Sequence, residues 1–324
     1  MNRSEGKIYH DDWMNNGLPD KSVQLIIADP PYYKVKGDFD FVWKTFDDYL
    51  QDVERWAIEC KRVLADNGTL YWYGDAKNIA YAQVIFDKHF NLLNSLVWEN
   101  TNDHKQQIRF NPDLRTFAPL TERILMYEQR GQKTGGEIVF EQFLKPKNPF
   151  SKYLKIELKK AGFTNKEIAK LFPSRTGGLT GCVSNWLNGD NVITEEQYNV
   201  IRNYCDNRYL QKPYEELRKE YEELRRPFNN SFSLQEVLNF SNEQNTTGAK
   251  YDHDTCKPEK LTRALILTCS RPNDLVVIPF AGSGTECAMS VKEGRRVIGY
   301  DVEQKYVDMS NNRIQSILKQ PTLF

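Results

Sequence analysis

Short apolar runs alternate with helix-period stretches at both ends of this chain, and its middle is patterned for helix throughout. The runs read as strands near residues 6–10, 24–28, 68–73, 92–98, 121–127, 275–279 and 296–300. Thr285 to Lys292, between the last two, carries a helical pattern. Strands separated by helices specify an α/β fold, here a mostly parallel seven-stranded Rossmann-like sheet with helices on both faces. From about residue 140 to 250 the pattern changes. Phe163 to Phe172 opens on a Thr/Asn helix start and has apolar residues at helical spacing; Pro173 to Gly178 breaks it. Leu179 to Leu187 reads as a second short helix stopped by Asn188-Gly189. A proline-bracketed helix from Tyr214 to Arg226 carries the stripe Tyr214, Leu217, Tyr221 and Leu224, with Glu215–Lys219 and Glu222–Arg226 at i,i+4 spacing. Asn242 to Gly248 is polar and turn-rich, a loop and hinge. The organisation predicted is two halves of one domain, 1–139 and 251–324, split by a largely helical insertion at 140–250.

A chain of 324 residues can bury a substantial core and carry such an insertion. No apolar stretch approaches the roughly 20 residues of a membrane span, and the first residues lack a signal-peptide core. Six cysteines without C-x-x-C pairing point to reduced thiols and a cytoplasmic protein, with no metal site; Cys256 near His253 is too little for one. Formal charge is zero, with 44 basic and 44 acidic residues. Residues 143–160 nevertheless hold six lysines (145, 147, 152, 155, 159 and 160) against one acid, Glu157. A patch of that kind binds phosphate while the whole molecule stays neutral.

Two segments carry candidate chemistry. Asp29-Pro30-Pro31-Tyr32 follows the run Val23 to Ala28, so it sits where a parallel strand ends, the edge at which open α/β sheets bind ligands. A carboxylate, a stiff turn and an aromatic ring form a cradle for a planar base with an amino group: Asp29 and the Pro30 carbonyl accept its hydrogens and Tyr32 stacks. If stacking is its whole task, Tyr32→Phe should be mild. The second segment is Phe280-Ala281-Gly282-Ser283-Gly284-Thr285, a glycine turn between a strand and a helix; the next strand ends at Asp301. That is the layout of a nucleoside-cofactor site, with glycines for close backbone approach and an acid for ribose hydroxyls. No Walker lysine follows the turn.

Together these segments resemble the permuted (beta-group) DNA amino-methyltransferases that use S-adenosylmethionine, in which the D-P-P-Y motif precedes the F-x-G-S-G-T motif. The resemblance covers residues 5–130 and 250–318. It implies catalytic roles for Asp29, Pro30, Pro31 and Tyr32, and cofactor contacts from Phe280 to Thr285 and from Asp301. Ile8 to Asp12 resembles the family's opening strand and implies that Asp12 meets the adenine. Lys257-Pro258-Glu259-Lys260-Leu261 resembles the K-P-x-x-L helix start that helps hold the methionine end. Val97 to Asn102 is similar to a segment bordering the target-base pocket, with Asn100 a departure, and makes Trp98 and Tyr33 candidate pocket walls. One further departure is Ile278, where the family commonly has Asp, which puts one polar contact to the cofactor in doubt.

Within the insertion, residues 163–189 resemble a helix-turn-helix with a long, glycine-rich turn. In that motif the second helix enters the major groove, so Thr180, Ser184 and Asn185 are candidate base readers. Lys155, Lys159, Lys166 and Arg175 are candidate phosphate contacts. Trp186 is more naturally a core residue than a stacking one.

The expected activity is methylation of a base flipped out of double-stranded DNA, adenine-N6 in preference to cytosine-N4 because the motif begins with Asp. Two other classes stay open: a protein-glutamine methyltransferase, against which the motif order argues, and an inactive DNA-binding regulator, suggested by Ile278 alone. A homodimer and a cognate restriction endonuclease are left open as partners.

Overall fold

Near-continuous apolar runs suit strands buried on both faces, and those of this chain pair into one sheet. The computed structural model describes residues 5–35, 38–100, 115, 121–129, 148–241 and 256–319. They fall into two compact units, Met1–Phe140 with Pro227–Phe324, and Glu141–Arg226. The first unit contains strands β1 (Gly6–His10), β2 (Val23–Ala28), β3 (Leu64–Gly74), β4 (Asn91–Asn100), β5 (Thr121–Glu128), β6 (Val237–Phe240), β7 (Leu275–Ile278) and β8 (Arg296–Asp301). In chain order the α-helices are α1 (Phe46–Val63) and α2 (Ile79–Phe86) in that unit. The second unit holds α3 (Pro149–Ala161), α4 (Asn165–Ala169), α5 (Cys182–Asn188), α6 (Glu195–Tyr204) and α7 (Tyr214–Leu224). The first resumes with α8 (Glu259–Cys269), α9 (Thr285–Lys292) and α10 (Gln304–Lys319).

The strand order is β1-β8-β7-β2-β3-β5-β4-β6. Only β5 runs against its neighbours; every other pairing is parallel. Alternate residues of one strand serve two cores. Leu25 and Ile27 face a cluster with Leu261, Leu265 and Ile314 of α8 and α10. Ile26 and Ala28 face Val53, Trp56 and Phe86 of α1 and α2. Helices therefore cover both faces, as the sequence predicts.

An eighth strand, β6, joins the seven expected. It corrects the boundary of the insertion, because residues 227–241 belong to the first unit rather than to a segment reaching residue 250. β6 is only four residues long, with Leu238 buried and Val237 exposed, and pairs Leu238 beside Trp98. One inward side chain makes no period that a sequence scan can detect. The hinge expected at Asn242–Gly248 lies outside the described residues.

The second unit closes its own core from Phe150, Leu154, Trp186, Tyr198 and Leu217. Trp186 is buried edge-on against Phe172, 5.1 Å between ring centres. Thr164 starts α4 with a reciprocal capping box to Glu167, and Gly189 ends α5 in the left-handed conformation, φ 78°. Helix α5 begins at Cys182 rather than Leu179, because the Thr180 hydroxyl donates to the Phe172 carbonyl at 3.0 Å and holds the preceding turn open. On α7, Leu217 is buried but Leu224 is exposed, and Glu222 pairs with Arg218 and Arg225.

Candidate active site

β2 and β7 lie side by side in parallel, Leu25 opposite Val276 and Ile26 opposite Val277. From β2 the chain passes through α1 to β3 on one side; from β7 it passes through α9 to β8 on the other. The sheet therefore diverges between them, which opens a crevice beyond their carboxyl ends. A cavity of about 930 Å³ fills it. Its wall includes Asp12, Asp29, Pro30, Pro31, Tyr32, Tyr33, Trp98, Lys257, Phe280, Ala281, Gly282, Ser283 and Asp301. The two motifs, some 250 residues apart in sequence, thus meet in one place. Pro258, Gly284 and Thr285 are not on that wall. Pro258 precedes the first turn of α8, and the other two support the glycine loop from behind.

The Asp29–Tyr32 turn is fixed by a residue that the sequence does not announce. Asp40, buried in a short helical turn, accepts the Tyr32 backbone N–H at 2.5 Å through its carboxylate. Tyr32 is held at its other end too: its hydroxyl donates to Asp29 Oδ1 at 2.6 Å. The second Asp29 oxygen, Oδ2, lies 2.9 Å from the Lys257 ammonium, which is equally 2.9 Å from Glu122 Oε2. Lys257 is almost completely buried, its side chain 4% exposed, with the rings of Tyr32, Tyr73 and Trp98 within 6 Å. Burial pulls its pKa down, but the carboxylates of Asp29 and Glu122 more than offset this and the net shift is upward. Burial, then Asp29 and Glu122, push the Tyr32 phenol well up, so it stays a donor. The result is a closed network in which Asp29 is oriented from two sides. Lys257, expected at the methionine end of a cofactor, sits on the Asp29 carboxylate.

Trp98 is buried with its indole N–H on the Phe240 carbonyl at 3.0 Å, so β6 holds that wall of the cavity. Tyr33 packs on Phe46 and Tyr49, with Lys34 over its ring. Thr101 and Asn102 are outside the described residues.

The glycine loop takes backbone angles that favour glycine, φ 48° at Gly282 and 75° at Gly284. Helix α10 clamps it from below. Ser310 donates to the Gly282 carbonyl at 3.2 Å, and Arg313 to the Ser283 carbonyl at 2.8 Å and the Thr285 hydroxyl at 3.0 Å. Asp301, at the end of β8, accepts the Gly282 N–H at 2.8 Å and the Glu303 N–H at 2.9 Å. Burial raises its pKa against those two donors. Asp12 accepts the Met14 N–H at 2.9 Å and caps the turn beside it. Ile278 is buried in the hydrophobic core and offers the cavity nothing polar.

In the second unit, Lys155 and Lys159 of α3 and Ser184 of α5 line one concavity of about 420 Å³. Asn185, Lys166 and Arg175 are exposed but are not part of its wall. Thr180 is half-buried and its hydroxyl is engaged with Phe172, so it faces its own fold. Lys160 pairs with Glu157 at 2.7 Å. Lys145, Lys147 and His253 lie outside the described residues; among the described residues no cluster could hold a metal ion. No helix among them is long and apolar enough to cross a membrane. All six cysteines are unbridged thiols.

Residues 23–312 match the family model described as DNA methylase. The type II methyltransferase M.HinfI of Haemophilus influenzae is 26% identical over 320 residues, 94% of this chain and 66% of that protein. The DNA adenine methyltransferase YhdJ of Escherichia coli is 25% identical over 302 residues, 92% of this chain and 78% of that protein. Among solved structures, a DNA modification methylase of Thermus thermophilus, crystallised with S-adenosyl-L-methionine, aligns with a TM-score of 0.52 at 16% identity. It covers 97% of this chain and 96% of its own. The cytosine-N4-specific PvuII DNA methyltransferase aligns at 0.54 with 15% identity, covering 98% and 91%. The structural likenesses establish the fold.

Proposed function

The chain belongs to the DNA methylase family, and from that membership we propose that it methylates the exocyclic N6 of adenine in double-stranded DNA, using S-adenosylmethionine. The single observation that carries this reading is the meeting of Asp29 and the glycine loop in one cavity at the sheet's switch point. At about 930 Å³, the cavity is near the top of the ~300–1,000 Å³ range of small-molecule sites, which suits a cofactor and a base together.

The residues present fit the cofactor. Gly282 brings bare backbone to the wall, Asp301 and Asp12 offer carboxylates there, and among the described residues one oxygen of a buried acid of α9 lacks a partner that a cationic ligand would supply. When bound, the cofactor supplies a methyl group on a sulfonium. The chain's own residues do the rest. The target amine is a weak nucleophile because its lone pair is delocalised into the ring. Asp29 and the Pro30 carbonyl accept its two hydrogens and stabilise the charge that develops on the nitrogen. Tyr32 and Lys257 hold the Asp29 carboxylate in the orientation that this requires. The proton leaves after the methyl has arrived, so no strong base is needed beforehand. A base inside a duplex cannot reach this cavity, so it must be flipped out, with Tyr32 and Trp98 offsetting part of the lost stacking.

Methylation-sensitive sequencing of DNA from cells expressing the chain tests the assignment. N6-methyladenine at one sequence context supports it, N4-methylcytosine replaces adenine by cytosine, and unmodified DNA overturns it. The hydroxyl bond to Asp29 revises the expectation for Tyr32. Tyr32→Phe loses a charge-assisted hydrogen bond of about 1.5–3 kcal/mol, so turnover should fall by roughly 10–100-fold. Tyr32→Ala should fall further. Equal activity of the Phe variant and the parent would return the residue to a purely stacking role.

The helical unit is the proposed DNA-recognition part, with Lys155 and Lys159 on phosphates and Ser184 and Asn185 at base edges. Lys155→Ala with Lys159→Ala should weaken binding to all duplexes alike and flatten log K against log salt by about one unit per lost contact. An unchanged slope would remove that role. The reading extends to a type II modification enzyme acting in the cytoplasm beside a restriction endonuclease.

A further inference from the structure

Glu286 is the second residue of α9 and follows the glycine loop directly. It is 5% exposed, and its Oε1 atom has no hydrogen-bond partner among the described residues. It also lines the cavity. A buried carboxylate oxygen left without a donor is destabilising by about 1–3 kcal/mol or more, and such an atom on a cavity wall marks a missing ligand group.

The charges around it say which group. Asp29 and Glu122 share the Lys257 ammonium, and Glu286 adds a third carboxylate to the same cavity wall that Lys257 does not pair with. Arg313 is committed to Ser283, Thr285 and Glu259 beneath the loop. Among the described residues the site is short of positive charge and of donors. The remaining ends of the cofactor are spoken for: Asp301 and Asp12 face its nucleoside, and the methyl must arrive at the amine held by Asp29. The amino-acid tail leaves the same sulfur and so lies on the Asp29 side of the loop, where Glu286 is. The strand end cannot serve it, since Ile278 is apolar and buried.

Resting on the S-adenosylmethionine reading above, we infer that Glu286 binds the α-ammonium of the cofactor's methionine end, supplying from helix α9 the acid that Ile278 does not provide at the end of β7. Burial, then Asp29, push the Glu286 carboxyl up to about 7, while its own backbone N–H, then Lys257 and Arg313, pull it back. Burial, then Glu286, in turn raise the pKa of the Tyr73 phenol. A raised carboxyl stabilises the empty protein fully below its ordinary pKa of 4.5, and that contribution is lost as pH rises through about 7. Glutamine mimics the protonated form. At pH 8 the empty Glu286→Gln protein should therefore unfold at no lower temperature than the parent.

Calorimetry on the full chain decides the matter with two ligands, S-adenosylmethionine and methylthioadenosine, which keeps the nucleoside but lacks the amino-acid tail. Glu286→Gln should weaken S-adenosylmethionine at least about tenfold, the loss of one charged hydrogen bond, and methylthioadenosine less than about twofold. Unchanged affinity for S-adenosylmethionine overturns the inference. Equal weakening of both ligands, or a lowered unfolding temperature at pH 8, also overturns it by making Glu286 a support of the loop. A parent chain that binds methylthioadenosine no worse than S-adenosylmethionine shows that the tail is not read at all. A parent that binds neither overturns the cofactor reading itself, and this inference with it.

Discussion

Asp29→Ala should lower methyl transfer at least about a thousandfold, the largest catalytic loss expected from one side chain, because it removes the acceptor aimed at charge developing on the amine. The same change should also destabilise the fold. Lys257, with its side chain 4% exposed, would keep Glu122 as its one carboxylate partner of the pair. Removing one member of a buried ion pair costs about 3–5 kcal/mol, and a somewhat smaller loss is expected here because Glu122 remains. Loss of activity could then be blamed on unfolding, so the two effects need separating. Asp29→Ala combined with Lys257→Met removes the buried cation that has lost a partner, leaves Glu122 with its side chain 32% exposed to be solvated instead, and should recover part of the stability, yet stay inactive. Urea unfolding beside methyl-transfer assays on the parent, the single and the double variant tests this. Recovery of activity in the double variant would reduce Asp29 to a counter-ion of Lys257. Near-normal turnover in Asp29→Ala would sink the catalytic assignment altogether.

The crevice was legible in the sequence because both of its motifs are local. An apolar run ending in Asp29-Pro30, and another ending in a glycine turn, fix a strand end and a ligand-facing loop whatever the rest of the chain does. What surrounds those motifs was not legible. Glu122 reaches Lys257 only because β5 runs antiparallel between β3 and β4, in a register that sets Glu122 opposite Trp98. No spacing along the chain encodes which strand β5 will pair with. Asp40 reads as one of two acids alternating with Phe39 and Phe41 until the turn folds it under the Tyr32 N–H. Glu286 looks like an ordinary first-turn helix acid, and only its burial separates it from one. The roles of residues whose identity was plain also moved. The K-P motif was visible, but the Lys257 ammonium lies on the Asp29 carboxylate. Tyr32 was visible as a stacking ring, but its hydroxyl is also bonded to Asp29. In the helical unit the Thr/Asn start announced α4, whereas α6, capped in the same way by Thr194 with Gln197, was not anticipated, and the late start of α5 depends on a single Thr180 hydroxyl bonded back across the turn.

Gly284→Ala should be the most damaging change in the glycine loop, more so than a change at Gly282 on the cavity wall. At φ 75° Gly284 is in the left-handed region, where an L side chain adds about 1–2 kcal/mol of strain. An added Cβ would also sit 2.5 Å from Ser310 Oγ and 2.7 Å from Ser310 Cα. The second contact is with helix backbone and cannot be relieved by a rotamer change. Forcing a methyl into such packing costs about 1–3 kcal/mol more. The total, about 2–5 kcal/mol, is a large share of the stability of a typical domain. Binding should fall with it. Pushing α10 aside pulls Ser310 from the Gly282 carbonyl and Arg313 from the Ser283 carbonyl, the bonds that hold the loop in its ligand-facing shape. Gly282→Ala, at φ 48°, carries the backbone strain and places a methyl on the cavity wall. Its loss of S-adenosylmethionine affinity should therefore exceed its loss of stability, the reverse of Gly284→Ala. Ser310→Gly added to Gly284→Ala removes the 2.5 Å contact but leaves the one at 2.7 Å, so rescue should be partial. Unfolding and calorimetry on the three proteins give the ranking directly. If Gly284→Ala left both stability and affinity at parental values, α10 would not be the clamp on the loop, and the rigid cradle assigned to Gly282 would lose its support.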